Sequence, residues 1–297
     1  MAKSYDILCI GSVLWDVIGR TDRSMNYGND VPGRITRLPG GVAMNIAMGL
    51  ARFGLRPVLL TSVGMDAEGD ELLGECTERG MVTDYVHRDA VLPTDRYMAI
   101  ECEAGLVAAI ADAHSLEAAG GHILAAMEDG RLGSEAAPYS GPVALDGNLT
   151  EALLAEIATR PSFAAADLRV APASPGKATR LRPLIGHKGA TFYVNLEEAG
   201  LILGTVFTSA RSAAEGFLDE GVARALVTDG AQEAALAQEG TLFTALPPKV
   251  TQARVTGAGD TFMAAHIAAE TRGQTGLEAL EAALAAAAKY VSGEDPV

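Results

Sequence analysis

Short, nearly continuous apolar runs alternate along this chain with longer segments whose apolar positions recur every three or four residues. The first pattern belongs to buried strands and the second to amphipathic helices. Strands are predicted over 5–11, 57–63, 143–145, 165–170, 191–194 and 225–228. Helices are predicted over 42–53, 68–80, 151–158, 177–185, 197–203, 213–220, 261–272 and 277–291. In the first of these, Ala43, Ile46, Ala47 and Leu50 share one face, and Gly54 ends it. Such alternation predicts the α/β class, a mostly parallel central sheet with helices on both faces.

Two places break the alternation. Ile35-Thr36-Arg37-Leu38 reads as a short strand, and 97–101 with 106–110 reads as a hairpin around Glu103-Ala104-Gly105. No predicted helix covers them. They suggest a small sheet built from segments of about 12–38 and 94–113, projecting from one domain that spans 1–297. A projecting sheet suits a lid over a pocket where water must be kept out. It also exposes apolar surface and an open strand edge, which predicts a homodimer that covers both.

Composition narrows the reading. With 297 residues, 48% hydrophobic and 21% charged, the chain reads as an ordinary globular protein. A formal charge of −15 argues against a nucleic-acid partner. Cys9, Cys76 and Cys102 have no metal-ligand spacing and imply no disulfide framework. The first residues, Met1 to Asp6, lack a signal-peptide core, and no apolar stretch approaches the roughly 20 residues of a membrane span. These features predict a cytoplasmic location with no membrane partner.

The strongest chemical signal is Thr256-Gly257-Ala258-Gly259-Asp260, set directly before a helical run. Residues without bulk let a backbone approach a ligand, and helix-start amides with the dipole attract an anion. An acid at the mouth of such a site can take a proton from an attacking hydroxyl. The plain alternative is a tight turn that lets helix and sheet pack. Gly40-Gly41 before Asn45 is a second glycine loop at a helix start. Asp16 follows the first strand, at the edge where α/β folds bind ligands. Asn195 and Glu198 bracket another helix start, as outer partners for hydrated Mg²⁺ or as a simple cap. Thr228 and Gly230 end a further strand and could line a nucleotide.

In this order, with Val63-Gly64-Met65-Asp66 between, the motifs resemble the ribokinase-like (PfkB) carbohydrate and nucleoside kinases, from Ile7 to about Val291. The resemblance implies a three-layer α/β/α fold with a small β-sheet lid. It implies ATP and Mg²⁺ as cofactors and admits a monovalent cation. Asp260 would be the base, and Gly257, Ala258 and Gly259 the anion hole. Asp16, Gly40, Gly41 and Asn45 would hold the acceptor, and Asn195 and Glu198 would position Mg²⁺ through water or phosphate. Asn195, Thr228, Gly230, Thr256, Gly257 and Gly259 would face ATP.

Several strings look like the pseudouridine kinases of that family: Pro39 to Ala47, Val107 to Asp112, Pro172-x-Ser174 with Lys177-Ala178, and Val255 before Thr256. Met44 and Ala171 depart from their pattern, where an arginine and an acid are usual. Pseudouridine is thus the first expectation for the acceptor. A sugar of the ribose, fructose or 2-keto-3-deoxygluconate class is the second, and a non-catalytic nucleoside-binding protein the third.

Overall fold

The computed structural model describes residues 5–103 and 105–297. The expectations for Met1 to Ser4 and for Ala104, in the hairpin turn, lie outside these residues.

Eight strands form the main sheet in the order β14-β13-β12-β11-β10-β9-β1-β4. They are β1 (Ile7–Ile10), β4 (Pro57–Leu60), β9 (Pro142–Asp146), β10 (Asp167–Ala171), β11 (Ala190–Asn195), β12 (Arg224–Thr228), β13 (Ala234–Gln238) and β14 (Thr241–Ala245). Strands β4 through β12 run parallel, while β13 and β14 fold back as an antiparallel edge. That edge hairpin escaped the sequence reading, because its alanines carry little strand signal. In β1 every residue is buried: Ile7 and Cys9 join one core, Leu8 and Ile10 the other. A strand covered on both faces shows this continuous apolar run rather than alternation.

The helices are α1 (Val42–Arg52), α2 (Ala67–Glu78), α3 (His114–Ala119), α4 (Glu151–Thr159), α5 (Leu196–Leu203), α6 (Ala210–Asp219), α7 (Ala258–Thr271) and α8 (Leu277–Ser292). Residues 175–186, which include the α-helix predicted over 177–185, form 3₁₀ turns instead, with Pro183 inside. Proline removes a helical donor and crowds the preceding turn, so a regular α-helix cannot continue there. Helix α7 begins three residues before its predicted start, which draws Asp260 into its first turn.

A second sheet has the order β3-β2-β7-β8, from β2 (Leu14–Arg20), β3 (Arg34–Gly40), β7 (Arg96–Cys102) and β8 (Gly105–Asp112). Asp16 therefore lies within β2, not in a loop, because Leu14 to Arg20 pairs with distant partners on both sides. A short pair, β5 (Ser62–Gly64) and β6 (His87–Asp89), completes the strands of the described residues. Asp66 caps α2 through Gly69 N at 2.7 Å and also accepts from Thr94 N at 2.8 Å and Thr94 Oγ1 at 2.6 Å. The motif around Val63 thus ties α2 to the chain entering β7.

Candidate active site

The glycine loops meet at the C-terminal edge of the parallel strands, the ligand edge of such sheets. Helix α1 starts at Gly41, whose φ of 96° lies in the left-handed region. A side chain there would also strike the Ser12 carbonyl, 2.4 Å from an ideal Cβ. Gly40 is required for a different reason: its Cβ would lie 2.1 Å from Asp16 Oδ2. The absent side chain is what lets the Asp16 carboxylate occupy this mouth.

Asn45, one turn into α1, donates from Nδ2 to Asp260 Oδ2 at 3.0 Å. The two residues are 215 positions apart, and packing of α1 on α7 brings them together. One turn further along each helix, Gly49 faces Ala264, so closely that a Cβ on Gly49 would lie 2.7 Å from Ala264 Cβ. This close approach sets the distance between the two site residues.

Asp260 occupies the first turn of α7 behind Gly257, whose φ is 87°. Ala258 N closes a turn onto Val255 O at 3.0 Å, and Thr261 N and Oγ1 both return to Gly257 O. The amides of Gly257, Gly259 and Asp260 have no acceptor among the described residues. Ala258 therefore contributes smallness and a turn, while the open donors are those of 257, 259 and 260. Three such amides at a helix start, with the dipole behind them, suit an anion.

Burial pushes the Asp260 carboxyl up to about 7, against the hydrogen bond from Asn45 and with help from the charges of Asp146 and Glu198. Burial likewise raises Asp16 to about 6. The Asp16 carboxylate has no hydrogen-bond partner among the described residues, so its oxygens are free for a ligand.

Asn195 and Glu198 form a reciprocal cap at the start of α5. Asn195 Oδ1 accepts from Glu198 N, and Glu198 Oε2 accepts from Asn195 N, both at 2.9 Å. Each still has polar capacity to spare. Asn195 stands directly beside Thr228 in the register of β11 and β12, and Gly230 follows with φ 56°. No group of three acidic, histidine or cysteine side chains among the described residues could hold a metal.

A polar knot below the glycine loop was not foreseen. Asp146 Oδ2 accepts from Ser12 N at 2.8 Å, Ser12 Oγ at 2.6 Å and Ala43 N at 3.3 Å. Ser12 Oγ receives Val42 N at 2.9 Å, Asn148 bridges Ser12 and Asp146, and Lys177 Nζ donates to Asn148 Oδ1 at 2.7 Å. The signal available was Asp146-Gly147-Asn148 at a strand end, where Asx side chains bind backbone. Met44 is fully buried against Cys76, facing the core rather than the ligand mouth. Among the described residues Arg254 makes no ion pair: its Nε donates to Tyr290 O at 2.7 Å and its Nη2 reaches Glu294 O at 3.4 Å.

Open helix-start amides with an acid beside them, on a mostly parallel sheet flanked by helices, fit a phosphotransferase of the ribokinase-like class. The sequence pattern of the pfkB family carbohydrate kinases matches residues 4–296, and the chain belongs to that family. It is similar to the pseudouridine kinase of Escherichia coli (strain K12), 29% identical over 270 residues, which span 88% of this chain and 82% of that protein. A carbohydrate kinase from Agrobacterium tumefaciens superposes with a TM-score of 0.79 at 26% identity, covering 96% of this chain and 90% of that one. The ribokinase of Arabidopsis thaliana complexed with ribose and ATP superposes at 0.74 with 20% identity, covering 98% and 96%. The protein is accordingly a carbohydrate or nucleoside kinase.

Proposed function

We propose that this kinase transfers the γ-phosphoryl group of ATP to the 5′ hydroxyl of pseudouridine or a closely related nucleoside. The observation that carries the transfer chemistry is the Asn45–Asp260 contact beside the three open amides at the start of α7. Asp260, held near neutrality, accepts the hydroxyl proton as the new O–P bond forms and the bond to the β-phosphate oxygen breaks, leaving ADP. The amides of Gly257, Gly259 and Asp260 hold the charge on the moving group. Asp16, Gly40, Gly41 and Asn45 orient the acceptor. Asn195, Thr228, Gly230 and Thr256 face the nucleotide.

Asp16, Asp260 and Glu198 would repel a polyphosphate, which supports a cation between them. With no protein cage present, Glu198 and Asn195 fit Mg²⁺ that arrives on phosphate and keeps its water. Bound there, Mg²⁺ would neutralise charge on the phosphates. The A. thaliana ribokinase complex supports ATP as donor.

The second sheet is the lid in this reading, belonging with the main sheet to one kinase domain. Asp16 and Tyr97 share the face toward the acceptor, while Ile35, Met98, Ile100 and Ile110 lie exposed on the other. That apolar face supports a homodimer that packs lid against lid. Two buried cysteines without a disulfide, and no described helix long and apolar enough to cross a membrane, support a cytoplasmic enzyme.

The test is Mg-ATP turnover across a panel of nucleosides and sugars. Pseudouridine should exceed ribose and fructose by far, and Asp260→Ala should abolish turnover while the fold remains. Equal turnover of ribose or fructose would favour a sugar kinase. Ligand binding with no ADP release would favour a nucleoside-binding protein.

A further inference from the structure

The loop that carries the anion cradle has little packing of its own: residues 251–256 are all exposed. Its support comes from the end of α8, and the contacts converge on two side chains that the proposed reaction does not use. The Arg254 guanidinium lies 3.8 Å from the centre of the Tyr290 ring. Its Nε donates to Tyr290 O at 2.7 Å, and Nη2 reaches Glu294 O at 3.4 Å. A cation on the final carbonyls of a helix is favoured by both hydrogen bonding and dipole. The main chain adds Ala253 N and Arg254 N, donating to Val291 O at 2.8 and 3.1 Å.

Tyr290, held under Arg254, then reaches the cradle. Its hydroxyl donates to Thr256 O at 2.9 Å. It also fills the space beside Gly257, where a Cβ would lie 2.6 Å from the phenolic oxygen. The peptide joining Thr256 to Gly257 is planar and trans, so its C=O and N–H point in opposite directions. Holding the carbonyl toward Tyr290 turns the Gly257 amide away from Tyr290. Glycine at 257 has the freedom to rotate this peptide, and nothing else described holds Thr256 O.

We propose that Arg254 and Tyr290 are positioning residues that set the direction of the Gly257 N–H in the phosphoryl cradle. Arg254 fixes the ring by stacking and by gripping the α8 terminus, and the Tyr290 hydroxyl fixes the peptide plane. The inference rests on the reading of the cradle as the phosphoryl site.

The test compares Tyr290→Phe, Arg254→Ala and Arg254→Lys with the intact chain, in turnover, acceptor KM, melting temperature and hydrogen exchange of the Ala258 and Thr261 amides, which are bonded to Val255 O and Gly257 O. Tyr290→Phe keeps the ring and removes only the hydroxyl. Its kcat should fall about 10- to 100-fold, the scale of a misdirected catalytic donor. Acceptor KM and melting temperature should barely move, and exchange at Ala258 and Thr261 should quicken. Arg254→Ala should behave likewise and recover in part with millimolar guanidinium. Arg254→Lys should not recover, because an ammonium cannot stack flat while gripping two carbonyls. A Tyr290→Phe enzyme with wild-type kcat, while Asp260→Ala is dead, refutes the clamp and leaves the kinase reading intact. Parallel loss of kcat, acceptor affinity and melting temperature would make the pair merely structural and also refute it. If the wild-type chain phosphorylates nothing in the panel, the kinase reading fails, and the exchange data still decide the clamp: unchanged protection of the bonded amides of Ala258 and Thr261 refutes it, faster exchange there upholds it.

Discussion

Replacing Asp260 by asparagine should stabilise the protein at alkaline pH while destroying its activity. The carboxyl titrates at about 7 in the fold against an ordinary 3.8, because burial disfavours its charge. The folded state therefore keeps a proton that the unfolded chain releases. Stability falls as pH rises from about 4 to about 7 and is flat above. The full difference corresponds to about 4 kcal/mol at 1.36 kcal/mol per pH unit. Asp260 is only partly buried, so water screens the charge, and about 2 kcal/mol is the expected magnitude. Asparagine is close in shape and still accepts from Asn45, so little else changes. For a chain of this length that predicts a melting temperature about 4 °C above wild type at pH 8, with the gap closing near pH 4.5. Turnover should drop by about 100- to 10,000-fold, the range for a lost general base. Scanning fluorimetry at the two pH values, with a coupled ADP assay, measures both. An asparagine variant less stable than wild type at pH 8, or a gap independent of pH, would refute the claim that a strained carboxylate sits at this mouth.

Other perturbations address the neighbouring parts. Gly49→Val should push α1 off α7 where Ala264 is closest, costing about 1–3 kcal/mol and weakening turnover through the Asn45–Asp260 contact; chemical denaturation and kcat report the two effects. In Glu198→Gln, the loss of a negative neighbour should move the acid limb of kcat/KM to lower pH, since that charge raises the Asp260 carboxyl. Asp16→Asn should raise the acceptor KM by about 10- to 100-fold with ATP affinity unchanged, the scale of one charged hydrogen bond. If the proposed dimer packs through the exposed face of the second sheet, wild type should scatter light as a dimer and Ile110→Glu as a monomer.

Most of the sheet and its flanking helices were legible because apolar spacing reports burial directly, and the buried helix faces follow that spacing, as with Ile46, Ala47 and Leu50 in α1. Failures fell where a partner remote in the chain decides the local form. Leu14 to Arg20 is a strand because β3 and β7 flank it, and β13 with β14 is an edge hairpin despite weak strand formers. Pro183 signalled the break in the 3₁₀ segment, but the apolar pattern around it still read as helix. The Ser12–Asp146–Asn148–Lys177 knot was invisible because hydrogen bonds between two strand ends and a 3₁₀ segment leave no periodic trace.

The amino-acid order alone specified which loops lack side-chain bulk ahead of a helix and which acid stands in one of them, because those properties reside in the absence of side chains and in a helix start. It could not specify that Asn45 reaches Asp260, that Gly40 makes room for Asp16, or that Tyr290 grips Thr256. Those contacts are set by how closely α1, α7, α8 and the second sheet approach one another. That distance is decided by side-chain volume packed in three dimensions, which no spacing along a single chain encodes.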